Sequence, residues 1–386
     1  MRQLYLAATG QNRGKTTVSL GLVDGFRRRG LHTGFIKPVG QRTVMEDGVP
    51  ADEDAVLMKA LFNLPEPFPV MSPVHIPRGF TKAYIAGQVV EDLGARITEA
   101  HRSFADHDVL LIEGTGHAGV GAVVGLSNAV VARLLGAPAV IVSEGGVGRP
   151  IDEIVLNASH FAAHGVRVAG AIVNKVRVDE QPGIEDTLRR GLALHGIPLL
   201  GVLPYRPILS NPTLGMVLEG VRGRVISGAR DLDRVIDGVA IGAMEPHHML
   251  ERVGPGTLVI VPGDREDVIL TLTSAHLSGR SRARLVESLV DETPGAVEAG
   301  PGQRALGMVL SGGYEPRPEV LDAIREAGIF AAFAEDDTYT VASEVHDLLV
   351  KTHAADAGKI ELIKALVWDF LKLDPVLAAA DEARFD

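Results

Sequence analysis

The strongest constraint on this chain lies in its first seventeen residues. An apolar run, Gln3–Ala8, leads through Thr9-Gly10-Gln11-Asn12-Arg13-Gly14-Lys15-Thr16-Thr17 into an amphipathic stretch, Thr16–Arg29. That order predicts a buried strand, a glycine-containing loop and a helix. Glycines let such a loop curl until its backbone N–H groups converge on phosphate oxygens, and the helix N-terminus adds partial positive charge. The usual first glycine of the pattern is displaced: Thr9 stands in its place and Gly10 follows one position later. The Gly14-Lys15-Thr16-Thr17 ending keeps the chemistry, with Lys15 placed to bridge β- and γ-phosphates and the Thr16 hydroxyl placed for Mg²⁺.

A chain of 386 residues is long for a single core and suggests two or three domains. Hydrophobic residues make up 46% and aromatics only 4%, which points to an α/β protein packed with Val, Leu, Ile and Ala. The net charge of −11, with Arg27-Arg28-Arg29 as the longest basic run, argues against nucleic acid as a main partner. There is no cysteine, so disulfides, thiolate metal sites and thiol nucleophiles are excluded. Leu4–Ala8 is too short for a signal-peptide core, and no apolar run reaches the roughly 18–20 residues that span a bilayer. A cytoplasmic protein without membrane partners is expected.

Residues 1–210 alternate β-like and helical stretches, the pattern of a mostly parallel sheet covered by helices. Strands are expected at Gln3–Ala8, His32–Ile36, Val109–Ile112, Ala139–Val142, Val168–Val173 and Leu199–Leu203. Their continuous apolar character fits strands buried on both faces. Helices are expected at Asn128–Leu135, Ile151–His164 and Ile184–His195. Pro204, Pro207, Asn211 and Pro212 then mark a boundary. From 213 to 350 the alternation resumes as a smaller α/β domain. Its expected strands are Val235–Ile241, Thr257–Val261, Leu306–Leu310 and Ile329–Phe333. Helices are expected near Pro246–Arg252, Glu266–Leu277, Pro318–Ala327 and Thr340–Leu349. Gly295–Gln303 reads as an exposed loop. Residues 351–386 hold one apolar helix, Ile360–Leu373, suited to packing on a domain or a partner.

Three further residues can complete a metal–phosphate site. Glu113 ends an apolar strand and precedes Gly114-Thr115-Gly116, at the sheet edge where ligands of open α/β folds bind. That position lets a carboxylate reach a metal without being buried among apolar neighbours; the plainer role is a helix cap. Asp54 stands at the start of a helical pattern, as a metal ligand or an N-cap. Lys37 leaves strand two into Pro38, where it can steady an anionic acceptor or simply snorkel to solvent. The fifth strand ends in Asn174-Lys175-Val176-Arg177, close to the guanine-reading Asn-Lys-x-Asp pattern but with arginine for the closing acid. Without that carboxylate the hydrogen-bonding logic favours adenine, which Asn174 can pair through both its amide groups. ATP and Mg²⁺ are the expected cofactors.

Together, Lys15-Thr16, Lys37-Pro38, Asp54, Glu113-Gly114, Asn174 and Pro204-Tyr205 resemble the dethiobiotin synthetase family of P-loop enzymes. The resemblance implies that Thr16, Asp54 and Glu113 hold Mg²⁺ and that Lys37 handles a carbamate. It also implies that Gly10, Asn12, Arg13, Gly14, Lys15, Thr16, Thr17, Asn174 and Pro204 line the ATP. The loop departs from that family where Gln11 and Asn12 replace the substrate-side Thr and Glu. The second half resembles the DRTGG domain, through Pro262-Gly263-Asp264-Arg265-Glu266-Asp267, Val239–Met244 and Thr338–Ser343. Such a pair of domains resembles the N-terminal part of long-form phosphotransacetylases, whose acetyltransferase domain has no counterpart here. Two functions follow as expectations: an ATP-dependent ligase, carboxylase or ATPase with an unidentified small-molecule acceptor, or a nucleotide-sensing regulator. A homo-oligomer is expected from the P-loop class. In the second domain, Gly263-Asp264-Arg265 opens a helix and could dock an anion or form an ordinary turn. His247-His248, adjacent on a helix, are expected to point apart as surface residues.

Overall fold

A computed structural model describes residues 1–46, 48–290, 305–348 and 350–381. The expected loop Gly295–Gln303 lies outside them, as does Leu349. The chain divides into two compact units, residues 1–206 with 352–386, and residues 207–351.

The first unit is built on β1 (Arg2–Ala8) and β2 (Thr33–Ile36), a hairpin of β3 (Thr43–Glu46) and β4 (Val49–Asp52), then β5 (Val109–Glu113), β6 (Ala139–Glu144), β7 (Val168–Val176) and β8 (Leu199–Pro204). Six of these form one fully parallel sheet in the order β8-β7-β6-β1-β5-β2. Every residue from Leu4 to Ala8 and from Val109 to Ile112 is buried, as continuous apolar runs in a doubly covered sheet require. β1 sits at the centre, between β5 and β6, so the loop that follows it opens where the strand order reverses. Ligands of open α/β sheets bind at that point.

Helices Lys15–Arg28, Asn128–Leu134, Gly148–Ala163 and Ile184–Ala193 cover the sheet. The expected C-terminal helix is two helices, Ala357–Phe370 and Leu373–Asp381. Pro375 can stand only in a helix's first turn, and Leu371 between the two is extended, bridging to Gly201 on β8. Both helices pack within the first unit: a Cβ on Gly21 would strike Val367, and one on Gly25 would strike Leu373.

The second unit carries β9 (Arg224–Ser227), β10 (Gly238–Ile241), β11 (Thr257–Pro262), β12 (Gly307–Ser311) and β13 (Phe330–Phe333), in the order β9-β13-β12-β11-β10. All pairs are parallel except β9 with β13. The expected strand Val235–Ile241 is shorter, because Val235 bridges Thr213 instead. Helix Glu266–Val290 runs beyond its expected end, and helix Thr338–His346 starts two residues early because the Asp337 carboxylate caps it through the amides of Tyr339 and Thr340.

Candidate nucleotide site

The loop after β1 is shaped by two left-handed residues, Asn12 (φ 58°) and Gly14 (φ 92°). Gly14 has no room for a side chain: a Cβ there would lie 2.0 Å from Asn174 Nδ2. Lys15 and Thr16 then open the first helix, with Thr17 half-buried beside them. Gly10 lies against the Arg13 side chain, 3.3 Å from its Nε if a Cβ is added. Arg13 itself is ion-paired with Glu144 and lies 3.8 Å from Glu153.

Four of the expected site residues converge. Thr16 Oγ1 donates to Asp54 Oδ1 at 3.0 Å and to Glu113 Oε1 at 3.3 Å. The Lys37 ammonium lies 2.5 Å from Asp54 Oδ2 and 2.9 Å from Glu113 Oε1. Ser19, one turn beyond Thr16, donates to Glu113 Oε2 at 2.6 Å. Sequence reasoning passed over Ser19, although its spacing of three from Thr16 on one helix face was the available signal. Asp54 is free for this cluster because Asp52 caps the helix Glu53–Phe62, accepting from the Asp54 amide.

Burial sets the charges here, and it corrects two expectations. Glu113 does not stay clear of apolar surroundings: it is wholly buried, within hydrogen-bonding reach of Thr16, Ser19 and Lys37, which supply what solvent would. Nor does Lys37 snorkel, being 4% exposed. Burial pushes the Glu113 carboxyl up to about 7, with Lys37 opposing the shift and Asp54 adding to it. Burial also opposes charge on Asp54 and Lys37, but each holds the other ionised. Asp54 ends well below the usual carboxylate range and Lys37 well above the usual ammonium range. Lys15, half-buried, is lowered to about 8, by partial desolvation first and by the Lys37 charge second.

Asn174 and Pro204 lie on the neighbouring strands β7 and β8, where Pro204 pairs with Val176. The Asn174 amide donates to the Arg13 carbonyl at 3.2 Å. The Tyr205 amide donates to the Val176 carbonyl at 2.8 Å, and the Arg177 guanidinium lies over the Tyr205 ring at 4.8 Å.

In the second unit Arg265 is engaged, not offered to an anion. It pairs with Asp267 at 2.9 Å and donates to the carbonyls of Met244 and Ala243 at 3.0 and 3.4 Å. His247 and His248 are exposed, but their rings do not diverge: their centroids are 3.9 Å apart. Adjacent Cβ directions fix where two side chains begin, and rotation about χ1 and χ2 brings the rings together. With Glu245 they place one possible ligand atom each within 4.8 Å of the others. Among the described residues no helix is long and apolar enough to cross a membrane.

The family model described as an AAA domain matches residues 2–213, and that of the DRTGG domain matches residues 216–348. A phosphate acetyltransferase of Nitrosomonas europaea is 23% identical over 99% of this chain and 52% of its own length. Those of Pseudomonas aeruginosa and Pseudomonas putida are 28% and 30% identical, each over 74% of this chain and over 42% and 41% of their own. The chain spans about half the length of the curated relatives it matches. Among solved structures, the cell division ATPase MinD of Pyrococcus furiosus aligns at 14% identity over 54% of this chain and 86% of its own, with a TM-score of 0.32. With a phosphate loop at its start and a DRTGG domain behind it, the chain belongs to the AAA domain family and matches the N-terminal region of long-form phosphotransacetylases.

Proposed function

We propose that the first unit binds ATP with Mg²⁺ and that the chain serves as a nucleotide-sensing regulatory module, acting on an enzyme of acetyl or central metabolism through its DRTGG domain. The observation that carries the regulatory reading is the state of Lys37. In a ligase of the dethiobiotin synthetase type the equivalent lysine handles the acceptor's carbamate. Here its ammonium is buried and held by two carboxylates at 2.5 and 2.9 Å, while the acceptor side of the loop carries Gln11 and Asn12.

The donor set fits Mg²⁺. Thr16, Asp54 and Glu113 offer hard oxygens at the N-terminus of the helix that follows the loop. These carboxylates already gather around one positive charge, that of Lys37. Held there, Mg²⁺ would supply positive charge to offset that of the bound phosphates. In this reading Lys15 faces the same phosphates, whose negative charge would restore its lowered proton affinity. The second Nδ2 proton and the side-chain Oδ1 of Asn174 would pair with adenine.

The test is binding and turnover measured together. The single tryptophan, Trp368, lies in the first unit and reports its melting. ATP with Mg²⁺ at about 100 times its Kd should stabilise this unit by about 2.7 kcal/mol, and Lys15→Ala should abolish that gain. If the gain survives in the variant, the phosphate-loop assignment is wrong. Hydrolysis should stay below about one ATP per minute whether or not amine acceptors are added. Acceptor-stimulated turnover in the range of about 1–1000 per second would establish an enzyme instead.

A further inference from the structure

The phosphate loop is held from outside by a side-chain pair at the end of β7. Asn174 Nδ2 donates to the carbonyl of Arg13 at 3.2 Å, and Lys175 Nζ donates to the carbonyl of Asn12 at 2.7 Å. Two consecutive carbonyls of the loop are therefore taken by two consecutive residues of one strand. Lys175 reaches its partner from a left-handed backbone (φ 56°), a conformation that costs a lysine about 1–2 kcal/mol and persists only where its surroundings impose it. Glu144, on the adjoining strand β6, braces the pair: it lies 3.3 Å from Lys175 Nζ and is ion-paired with Arg13.

Peptide geometry gives this pair a consequence for the ligand. The peptide unit is planar and trans, so the carbonyl of one residue and the N–H of the next point in opposite directions. Drawing the Asn12 and Arg13 carbonyls toward β7 turns the N–H groups of Arg13 and Gly14 away from it. We infer that Asn174 and Lys175 are positioning residues that pre-set these phosphate-facing N–H donors, so that Asn174 governs affinity for a polyphosphate that carries no base. The inference rests on the nucleotide-binding reading above, and differs from it in assigning Asn174 a role that adenine recognition does not need.

Calorimetric titration of the full chain with inorganic triphosphate, ATP and GTP, each with Mg²⁺, tests it. Asn174→Ala should weaken inorganic triphosphate and GTP by a factor of about ten, the effect of one hydrogen bond, and ATP by at least as much. Lys175→Met should do likewise, and Lys175→Arg, which keeps a donor, should recover most of the loss. The Trp368 unfolding midpoint accompanies each titration, and if Asn174→Ala does not fold, the Lys175 pair carries the test. Unchanged triphosphate affinity alongside weakened ATP in Asn174→Ala overturns the inference and leaves Asn174 as a base reader. If that variant does not fold, Lys175→Met binding triphosphate like the unmodified chain overturns it. If the unmodified chain binds none of the three ligands, the nucleotide reading itself falls and takes the positioning role with it.

Discussion

The two units present the same kind of edge and use it differently. Each has a sheet whose parallel strands end in glycine-bearing turns, Gly14 after β1 and Gly312 after β12, with nearly equal left-handed φ of 92° and 91°. At the first edge, charges are buried and shared: the Lys37 and Glu113 side chains are 5% and 0% exposed and are linked through Asp54 and Thr16. At the second edge, charges are exposed or half-exposed and paired by ordinary ion pairs, as in Arg265 with Asp267, Arg317 with Glu266, and Arg222 with Asp336 and Glu344. Buried ionised groups are costly to hold, so a fold retains them where their chemistry is needed. Solvated pairs cost little and carry little information. The contrast singles out the first edge for phosphate and metal chemistry, and it can be broken by experiment.

The largest difference should come from removing one cation on each side. Lys37→Met strands the buried Glu113 carboxyl and the half-buried Asp54, and we expect it to destabilise the first unit by about 3 kcal/mol at pH 7.5, toward the low end for a broken buried pair because Glu113 can take up a proton and Asp54 keeps some solvent. Arg265→Met should cost the second unit about 1 kcal/mol or less, since its carboxylate partner is solvated. Urea unfolding followed at Trp368 reads the first, and native-state hydrogen exchange of β11 and β12 reads the second. Equal costs would show that burial does not separate the two edges.

The two left-handed glycines separate backbone strain from crowding. Gly312→Ala adds a Cβ whose nearest neighbour is Tyr314 Cδ2 at 3.5 Å, an ordinary contact, so only the conformational cost of about 1–2 kcal/mol applies. Gly14→Ala meets the same backbone cost and also drives its Cβ to 2.0 Å from Asn174 Nδ2. It should lose about 1 kcal/mol more, together with the Asn174 bond to Arg13. If the unfolding costs of the two variants are the same, Asn174 yields its place freely and the crowding argument fails.

A smaller effect is expected of Ser19. Its hydroxyl donates to Glu113 at 2.6 Å in a fully buried setting, and Ser19→Ala should cost about 1–2 kcal/mol. The corresponding hydroxyl pair of the second edge, Ser311 with Thr338 at 2.9 Å, is partly buried. Ser311→Ala should cost about half as much. A Ser19→Ala variant as stable as the unmodified chain would mean that Glu113 needs no third donor beyond Thr16 and Lys37.

How far the sequence reveals these edges depends on what each residue does. The six strands of the first sheet are legible because a strand buried on both faces must be apolar throughout, and β1, β5 and β6 lie within two residues of where their apolar runs place them. The hairpin β3–β4 carries no such signal: β3 alternates exposed and half-buried residues, and β4 includes Pro50 and buries only Ala51 and Asp52. β9 is equally silent, a four-residue edge strand with none of its residues buried. Lys37, Asp54 and Glu113 could be suspected one by one, since each is a charged residue at the end of an apolar segment. Their mutual contact could not, because it depends on Asp52 taking the cap position that Asp54 might have held. Lys175 is adjacent to Asn174 in sequence, but its left-handed backbone, which brings it to the loop, leaves no mark in the residue pattern.

The smallest expected effect concerns protons. His107 in the first unit is buried against Phe104, stacked on His32 at 3.8 Å and 3.1 Å from Glu66 Oε1, whereas His247 and His248 of the second unit are exposed. Burial and the neighbouring His32 together hold His107 below its ordinary pKa, despite Glu66. The sign follows from linkage: below about pH 6.5 the unfolded chain binds a proton that folded His107 refuses, so stability present above that pH is lost as pH falls through it. Glu113 acts in the opposite sense, because a carboxyl raised to about 7 takes up its proton in the folded state first. Comparing the unmodified chain with His107→Gln cancels Glu113 and isolates the histidine. Between pH 7.5 and 5.5 the unmodified first unit should lose more stability than the variant, by up to about 1.4 kcal/mol, measured as the shift in urea midpoint at Trp368. Identical pH dependence in the two proteins would place His107 among the solvated histidines and remove protonation from what distinguishes the units.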